Sequence, residues 1–277
     1  MALTVNTNIA SLNAQRNLTT TQTQLNKSLQ RLSSGLRINS AADDAAGLSI
    51  SEGMRSQIRS MNQAVRNAND GVSLVQTAEG ALNEVSNILV RMRELATQSA
   101  TGTVSSDQRA YIDNEFTQLK NEIDRISSAT QFNGTNLLAN ASGATVSFQV
   151  GAGATANDVI SVTISASSAS SIGVGTANVS GATGANATAA LTAIDSAITS
   201  VSNIRGTLGA IQNRLQSTIN NLQVSVENLS AAESRIRDVD VASETAAMTR
   251  AQILTQAGTS ILAQANQTPQ SALSLLR

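Results

Sequence analysis

Two close carboxylate pairs, Asp43-Asp44 and Asp238 with Asp240, have spacings that acid–base chemistry or a hard cation could use. Neither has the further ligands that an all-carboxylate metal site needs, and acids favour helix starts, so both read as helix starts or solvated faces. The chain contains no histidine, which removes the usual general base and the commonest metal ligand and excludes a Ser-His-Asp arrangement. It also contains no cysteine, so neither a thiolate metal site nor a disulfide framework is available. Serine and threonine are abundant, but a nucleophile needs an activating neighbour. Gly151-Ala152-Gly153 falls short of both phosphate-cradling glycine patterns and reads as a turn. These residues argue against an enzyme and imply no cofactor.

The polar groups that remain sit on helical stripes. Val75, Ala78, Leu82, Val85, Leu89, Met92 and Ala96 alternate steps of three and four, the spacing that keeps a seam on one helix face. Ile112, Phe116, Leu119, Ile123 and Ile126 repeat the pattern. So does the run Leu208, Ile211, Leu215, Ile219, Leu222, Val226 and Leu229, which Leu191, Ile194, Ile198 and Val201 lead into. A fourth stripe, Leu25, Leu29, Leu32 and Leu36, lies near the N-terminus. Arg91, Arg93 and Glu94, with Arg109 and Glu115 on the facing helix, read first as solvated faces with local ion pairs. Arginine is nevertheless the preferred interface cation, so contacts between subunits are a second reading.

Punctuation agrees with the stripes. Ser105 followed by Gln108 fits a capping box that opens the Ile112 helix, and Asn133-Gly134 marks its exit. The only proline is Pro269, so a segment such as Asp44 to Ser99 can run unbroken for about 80 Å. Between Ser127 and Ile194, Asp158 is the only charged residue. There Val146, Phe148 and Val150, then Ile160, Val162 and Ile164, alternate with polar residues around a Gly/Ala-rich turn, which predicts a β-hairpin. Ser165 to Ala190 reads as weak strand or loop. Its cluster Ser165, Ser167, Ser168, Ser170 and Ser171 looks exposed and available for O-glycans, and equally fits an unmodified loop.

Composition bounds the fold class. Aromatics make up 1% of 277 residues and tryptophan is absent, so burial must be spread along thin helical seams. A net charge of −1 gives no bulk electrostatic case for nucleic acid or a membrane surface. No apolar run reaches transmembrane length, and the first residues do not read as a secretory signal. The expected fold is mainly α, a long up-and-down bundle or coiled coil from both chain ends. A small β-hairpin-containing module at residues 141–189 is expected to face solvent, so that a short Gly/Ser linker could replace Ala166 to Ala187 with little effect.

Dense motifs add a resemblance. Val5 to Leu12, Leu32-Ser33-Ser34-Gly35-Leu36-Arg37-Ile38-Asn39-Ser40 through Gly47, Arg93-Glu94-Leu95-Ala96, Gln131-Phe132-Asn133-Gly134, and the tail from Ser234 through Ala263-Gln264-Ala265-Asn266 to Arg277 resemble bacterial flagellin, in a short form with a minimal central part. The resemblance implies a subunit of the extracellular flagellar filament that serves swimming, exported unfolded by the flagellar type III apparatus. Residues 1–40 and 238–277 would form an inner-tube domain, 41–140 and 190–237 an outer-tube domain. Polymerisation would rest on Leu25, Leu29, Leu32, Leu36, Leu254, Ile261, Leu273, Leu275, Leu276 and Arg277. Implied partners are further copies of the chain, an export chaperone, the filament cap protein and hook–filament junction proteins, with no nucleic acid and no membrane insertion. Arg91, Leu95, Glu115 and Ile194 match positions through which family members contact the host Toll-like receptor 5. Leu273, Leu275 and Leu276 match the segment sensed by cytosolic NAIP receptors. A hook–filament junction protein and a coiled-coil module that does not polymerise are the alternatives. A flagellin-like chain carrying a metallopeptidase is excluded, because an HExxH motif cannot exist without histidine.

Overall fold

A computed structural model describes residues 7–139 and 143–274, with the side chains of 268–274 left out of account. In chain order the elements are α1 (Ile9–Ser34), α2 (Ala45–Ala100), α3 (Ser106–Ala129), β1 (Gln131–Phe132), β2 (Thr135–Asn136), β3 (Ala144–Gln149), β4 (Val159–Ile164), α4 (Ala185–Arg237) and α5 (Val241–Ser274). The fold is thus mainly α with two small antiparallel strand pairs. Contacts divide the chain into two compact units, Met1–Ser56 with Asn228–Arg277, and Gln57–Glu227. The divisions fall inside α2 and α4, whereas the sequence-based boundaries were set at 40 and 238.

In the terminal unit α1 lies antiparallel to α5. Asn8 Nδ2 donates to Ala265 O at 2.7 Å, Leu18 lies against Gly258, and Arg31 meets Glu244 at 3.4 Å. A Cβ at Gly258 would sit 3.3 Å from Leu18 Cδ1, so a larger residue there would press on Leu18. The seam on α1 is Leu18, Thr21, Leu25, Ser28 and Leu32; on α5 it is Met248, Ala251, Thr255, Gly258 and Leu262. Both step by three and four, but the register differs from the expected leucine stripe: Ser28 takes the buried place and Leu29 turns outward. At the end of α1 the chain is clasped to the end of α4. Arg37 N donates to Arg237 O at 2.6 Å, Val239 N donates to Gly35 O at 3.0 Å, and the Arg37 guanidinium donates to Ile236 O.

Three of the four carboxylates in the two aspartate pairs do structural work here. Asp44 Oδ1 accepts from Gly47 N at 2.9 Å at the start of α2, and Asp240 Oδ1 accepts from Ala242 N and Ser243 N at the start of α5. Asp43 pairs with Lys27 at 2.8 Å and also accepts from the backbone N–H groups of Asn39 and Ser40.

The other unit holds the main core. Val75, Ala78, Leu82, Val85, Leu89, Met92 and Ala96 are all fully buried, as their spacing predicts. Phe116 and Ile123 of α3 and Ile194, Val201 and Leu208 of α4 complete the packing. The Ser105–Gln108 capping box is formed in both directions, at 3.3 and 3.0 Å. Strands β3 and β4 pair antiparallel with Val146 opposite Val162 and Phe148 opposite Ile160. The sequence reading did not resolve β1 and β2, which close a two-residue hairpin at Asn133 (φ 47°) and Gly134 (φ 78°), the left-handed pair that a tight hairpin turn requires.

The expectation of a solvent-facing central module needs correction. Val162, Ile164, Ala169, Ile172, Val174 and Val179 are buried within the main core cluster. Residues 165–184 form turns without a strand, and α4 begins at Ala185. The segment reads as a loop because its residues are small and aperiodic, yet one side of it covers the core. Replacing Ala166 to Ala187 with a Gly/Ser linker is therefore expected to be costly. Ile172, Val174 and Val179 together represent about 5 kcal/mol of lost burial, and Phe116→Ala should cost about 3–5 kcal/mol. Urea unfolding of the full chain followed by circular dichroism checks both, and a midpoint unchanged by the linker would restore the solvent-facing reading.

Candidate functional site

The α1–α5 pair buries one stripe on each helix and leaves apolar side chains outside it uncovered. Ile9 (66% exposed) and Leu12 (53%) on α1, and Ile253 (60%) and Ile261 (57%) on α5, lie open, with Leu29 and Leu254 about half exposed. Of the residues expected to carry polymerisation, Leu25, Leu32 and Leu36 are half-buried, while Leu29, Leu254 and Ile261 are exposed. Leu273 falls within α5, and Leu275, Leu276 and Arg277 lie outside the described residues. Exposed Leu and Ile side chains on both helices of the pair fit a surface that another protein covers.

A second surface lies on α2 and α3. The Arg91 guanidinium donates to Glu115 Oε1 through Nε at 3.0 Å and Nη2 at 2.9 Å, and to Glu94 Oε2 through Nη1 at 2.9 Å. Glu115 first, then Glu94, raises the Arg91 pKa further above its ordinary value. All three side chains are about half exposed. Leu95 and Ile194, expected to share a contact face with them, are buried at 3% and 0% exposure. The expectation counted only the seam through Met92 and Ala96. With α3, α4 and the central segment all packed in one core, the buried arc of α2 is wider than a single seam.

Arg109 also departs from its reading as a solvated cation. It is 3% exposed and donates to the carbonyls of Ser99 (2.8 Å), Thr101 (3.0 Å) and Ala182 (3.1 Å). The capping box sets Arg109 in the first turn of α3, within reach of the carbonyls at the end of α2, where a cation is favoured. That adjacency was the available signal. In the serine cluster, Ser165, Ser170 and Ser171 are exposed and Ser168 is partly so, but Ser167 is fully buried, with its N–H donating to Leu138 O at 2.9 Å. Among the described residues no group of three acidic, histidine or cysteine side chains could hold a metal ion, and no helix is long and apolar enough to cross a membrane.

A family model described as the bacterial flagellin N-terminal helical region matches residues 5–143, and one described as the C-terminal helical region matches residues 191–276. The chain is 50% identical over 273 residues to a flagellin of Halalkalibacterium halodurans, covering 99% of both. It is 46% identical over 286 residues to the flagellar filament 33 kDa core protein of Treponema phagedenis, again covering 99% of both. Among solved structures it is similar to Bacillus cereus flagellin, with a TM-score of 0.50 at 36% identity, covering 61% of this chain and 94% of that one. A Vibrio parahaemolyticus structure described as a putative flagellar hook-associated protein shares the fold, with a TM-score of 0.59 at 17% identity over 71% of this chain and 100% of that one.

Acid should act on the region where α1 and α4 end. Its hydrogen bond from Lys27, aided by the Ser40 and Asn39 N–H groups, holds the Asp43 carboxyl well below the usual carboxylate range, and Arg237 then Arg55 lower Glu52. Because the folded values lie below the unfolded ones, this stabilisation is complete above the unfolded range and is lost as pH falls below it. Thermal unfolding should therefore shift downward between about pH 5 and pH 3. Asp43→Asn should be less stable than the parent at neutral pH and lose less on acidification. Equal pH slopes for the two chains would remove Asp43 from the account.

Proposed function

From its membership of the bacterial flagellin family, to which the chain belongs, we propose that it is a structural subunit that polymerises into the extracellular filament of the flagellum and serves swimming. The observation that carries this reading is the set of exposed Leu and Ile side chains left on the two terminal helices, in a chain related over its whole length to filament proteins. A pair of helices that buries only one stripe each needs further copies to cover the rest. In this reading residues 1–40 and 238–277 build the inner tube, and 41–140 with 190–237 the outer tube. The chain reaches its place unfolded through the flagellar type III apparatus, attended by an export chaperone and the cap protein, and meets hook–filament junction proteins at the filament base. The junction-protein alternative draws only on a shared fold at 17% identity.

Leu254→Asp with Ile261→Asp tests polymerisation. Both side chains are exposed, so the helicity and stability of the isolated chain should change by no more than about 0.5 kcal/mol. Seeded filament growth followed by electron microscopy should be abolished. Normal filaments from this variant would move the polymer contact elsewhere, and growth that stops at a small oligomer in the parent would favour the coiled-coil module instead.

The family resemblance extends the proposal to host recognition. Arg91 and Glu115 are the exposed members of the matched Toll-like receptor 5 set, whereas Leu95 and Ile194 are buried in the core. Leu273, Leu275 and Leu276 are the matched NAIP-sensed residues. Glycan attachment, where it occurs, would fall on Ser165, Ser170 or Ser171. In a reporter-cell titration of monomer, Arg91→Ala and Glu115→Ala should each weaken signalling. Parental potency in both variants would end the receptor assignment.

A further inference from the structure

One row of α3 is committed to reading the backbone of residues 165–184. Arg109, Asp113, Lys120 and Asp124 are spaced by four, seven and four residues, which places them along one edge of the helix beside the apolar seam of Phe116 and Ile123. Arg109 Nη1 donates to Ala182 O at 3.1 Å, and Asp113 Oδ1 accepts from Val179 N at 2.8 Å. Lys120 Nζ donates to Ala177 O at 2.7 Å, and Asp124 Oδ1 accepts from Ala169 N at 2.8 Å. From α2, the buried Ser99 hydroxyl donates to Val179 O at 2.6 Å, so both sides of the Val179 residue are held. Lys120 is steadied over the Phe116 ring, 5.7 Å from its centroid.

None of these bonds reads a side chain of the segment. Within it, Ile172 N donates to Ser168 O, Val174 N to Ala169 O and Ala177 N to Val174 O, so it carries its own short turns. Its inward side chains are Ser167, Ala169, Ile172, Val174 and Val179, while Ser165, Ser170, Ser171, Thr176 and Asn178 are exposed. An irregular segment over a core leaves backbone groups that need partners, and here side chains from the neighbouring helices provide them. The segment lies between the two regions that the family models match.

We propose that α3 carries a seat that recognises backbone rather than sequence, and that residues 165–184 form a strap which docks on it and releases from it as one unit, indifferent to the side chains on its outer face. Arg109, Asp113, Lys120 and Asp124 are its positioning residues. The seat fixes the path of the strap while leaving its outer surface free to differ.

Amide hydrogen exchange on the full-length monomer tests this. With Asp113→Ala and Asp124→Ala combined, the Ala169 and Val179 amides lose their acceptors, and the decisive signals are Ile172 and Val174, whose acceptors lie inside the strap. Their exchange should quicken together with Ala169 and Val179 by about tenfold or more, while Leu89 and Phe116 stay protected. Faster exchange at Ala169 and Val179 alone would show two local bonds and no unit. A uniform rise across residues 57–227 would show that the strap has no separate opening. Should the double variant fail to fold, Lys120→Met keeps the stem over Phe116 but loses the donor, and should give the same pattern at about threefold. The converse variant replaces Ser165, Ser170, Ser171, Thr176 and Asn178 with Ala together and should leave Ile172 and Val174 protection unchanged. Loss of protection there would mean that the seat depends on sequence after all.

Discussion

A helix that touches one neighbour can bury one stripe, and a helix that touches several can bury most of its circumference. This constraint separates the two units. In residues 57–227, α2 is packed with α3, α4, the β3–β4 hairpin and the central strap, and a run of its side chains from Leu74 to Ala96 reaches zero or near-zero exposure. In the terminal unit α1 and α5 have each other, and the apolar groups outside their seam stay in water. At about 25 cal/mol per Å² of apolar surface, those rows are free energy that the isolated unit leaves unclaimed. A further surface can claim it.

With almost no aromatic residues, the chain closes its cores with small polar stitches. Ser99 and Ser127 are fully buried, and each hydroxyl donates to a loop carbonyl, Val179 O at 2.6 Å and Leu138 O at 2.8 Å. Arg109 is a buried cation whose hydrogen bonds go to carbonyl oxygens at the end of α2 and in the strap. Such groups are costly when unpaired and modestly favourable when paired, so each one fixes a path for the loop that satisfies it. In the terminal unit, the half-exposed Glu52 accepts from Arg55 at 2.9 Å and Arg237 at 2.7 Å and so ties α2 to the end of α4.

The sequence revealed what is periodic and local. The α2 stripe, the capping box at Ser105, the β3–β4 pairing and the helix-start role of Asp44 and Asp240 follow from spacing or from near neighbours, and the structure contains them. Elsewhere the partner lay far away in the chain. The leucine spacing on α1 placed Leu29 in the seam, but the pairing with α5 sets the register, and in it Ser28 faces inward and Leu29 outward. The strap has no period and little hydrophobicity, and its bonds to the helices reach as far as 45 residues along the chain, between Ala169 and Asp124, and 80, between Val179 and Ser99. Leu95 and Ile194 were misread for the same reason, since burial on a helix with several neighbours depends on where those neighbours lie.

The outer faces of the terminal helices also explain how an apolar row can stay in water and still be ready for burial. On α1 the hydroxyls of Thr19, Thr20 and Thr23 donate to carbonyls four residues back, at 2.9 to 3.1 Å. On α5 those of Thr245 and Thr249 do the same, at 2.6 and 2.9 Å. A threonine bonded in this way has spent its donor inside its own helix and can present its methyl group outward. The face between the exposed Leu and Ile side chains is then neither strongly hydrated nor greasy. A second surface pressed onto it strips water from methyl groups and strands no hydroxyl donor, so the usual penalty for burying a polar residue does not arise. Leucine at those positions would bury more area but make the free chain stickier, whereas serine would keep the bond and lose the methyl. Threonine beside sparse Leu and Ile therefore suits a helix pair that must be free in solution at one moment and covered at another.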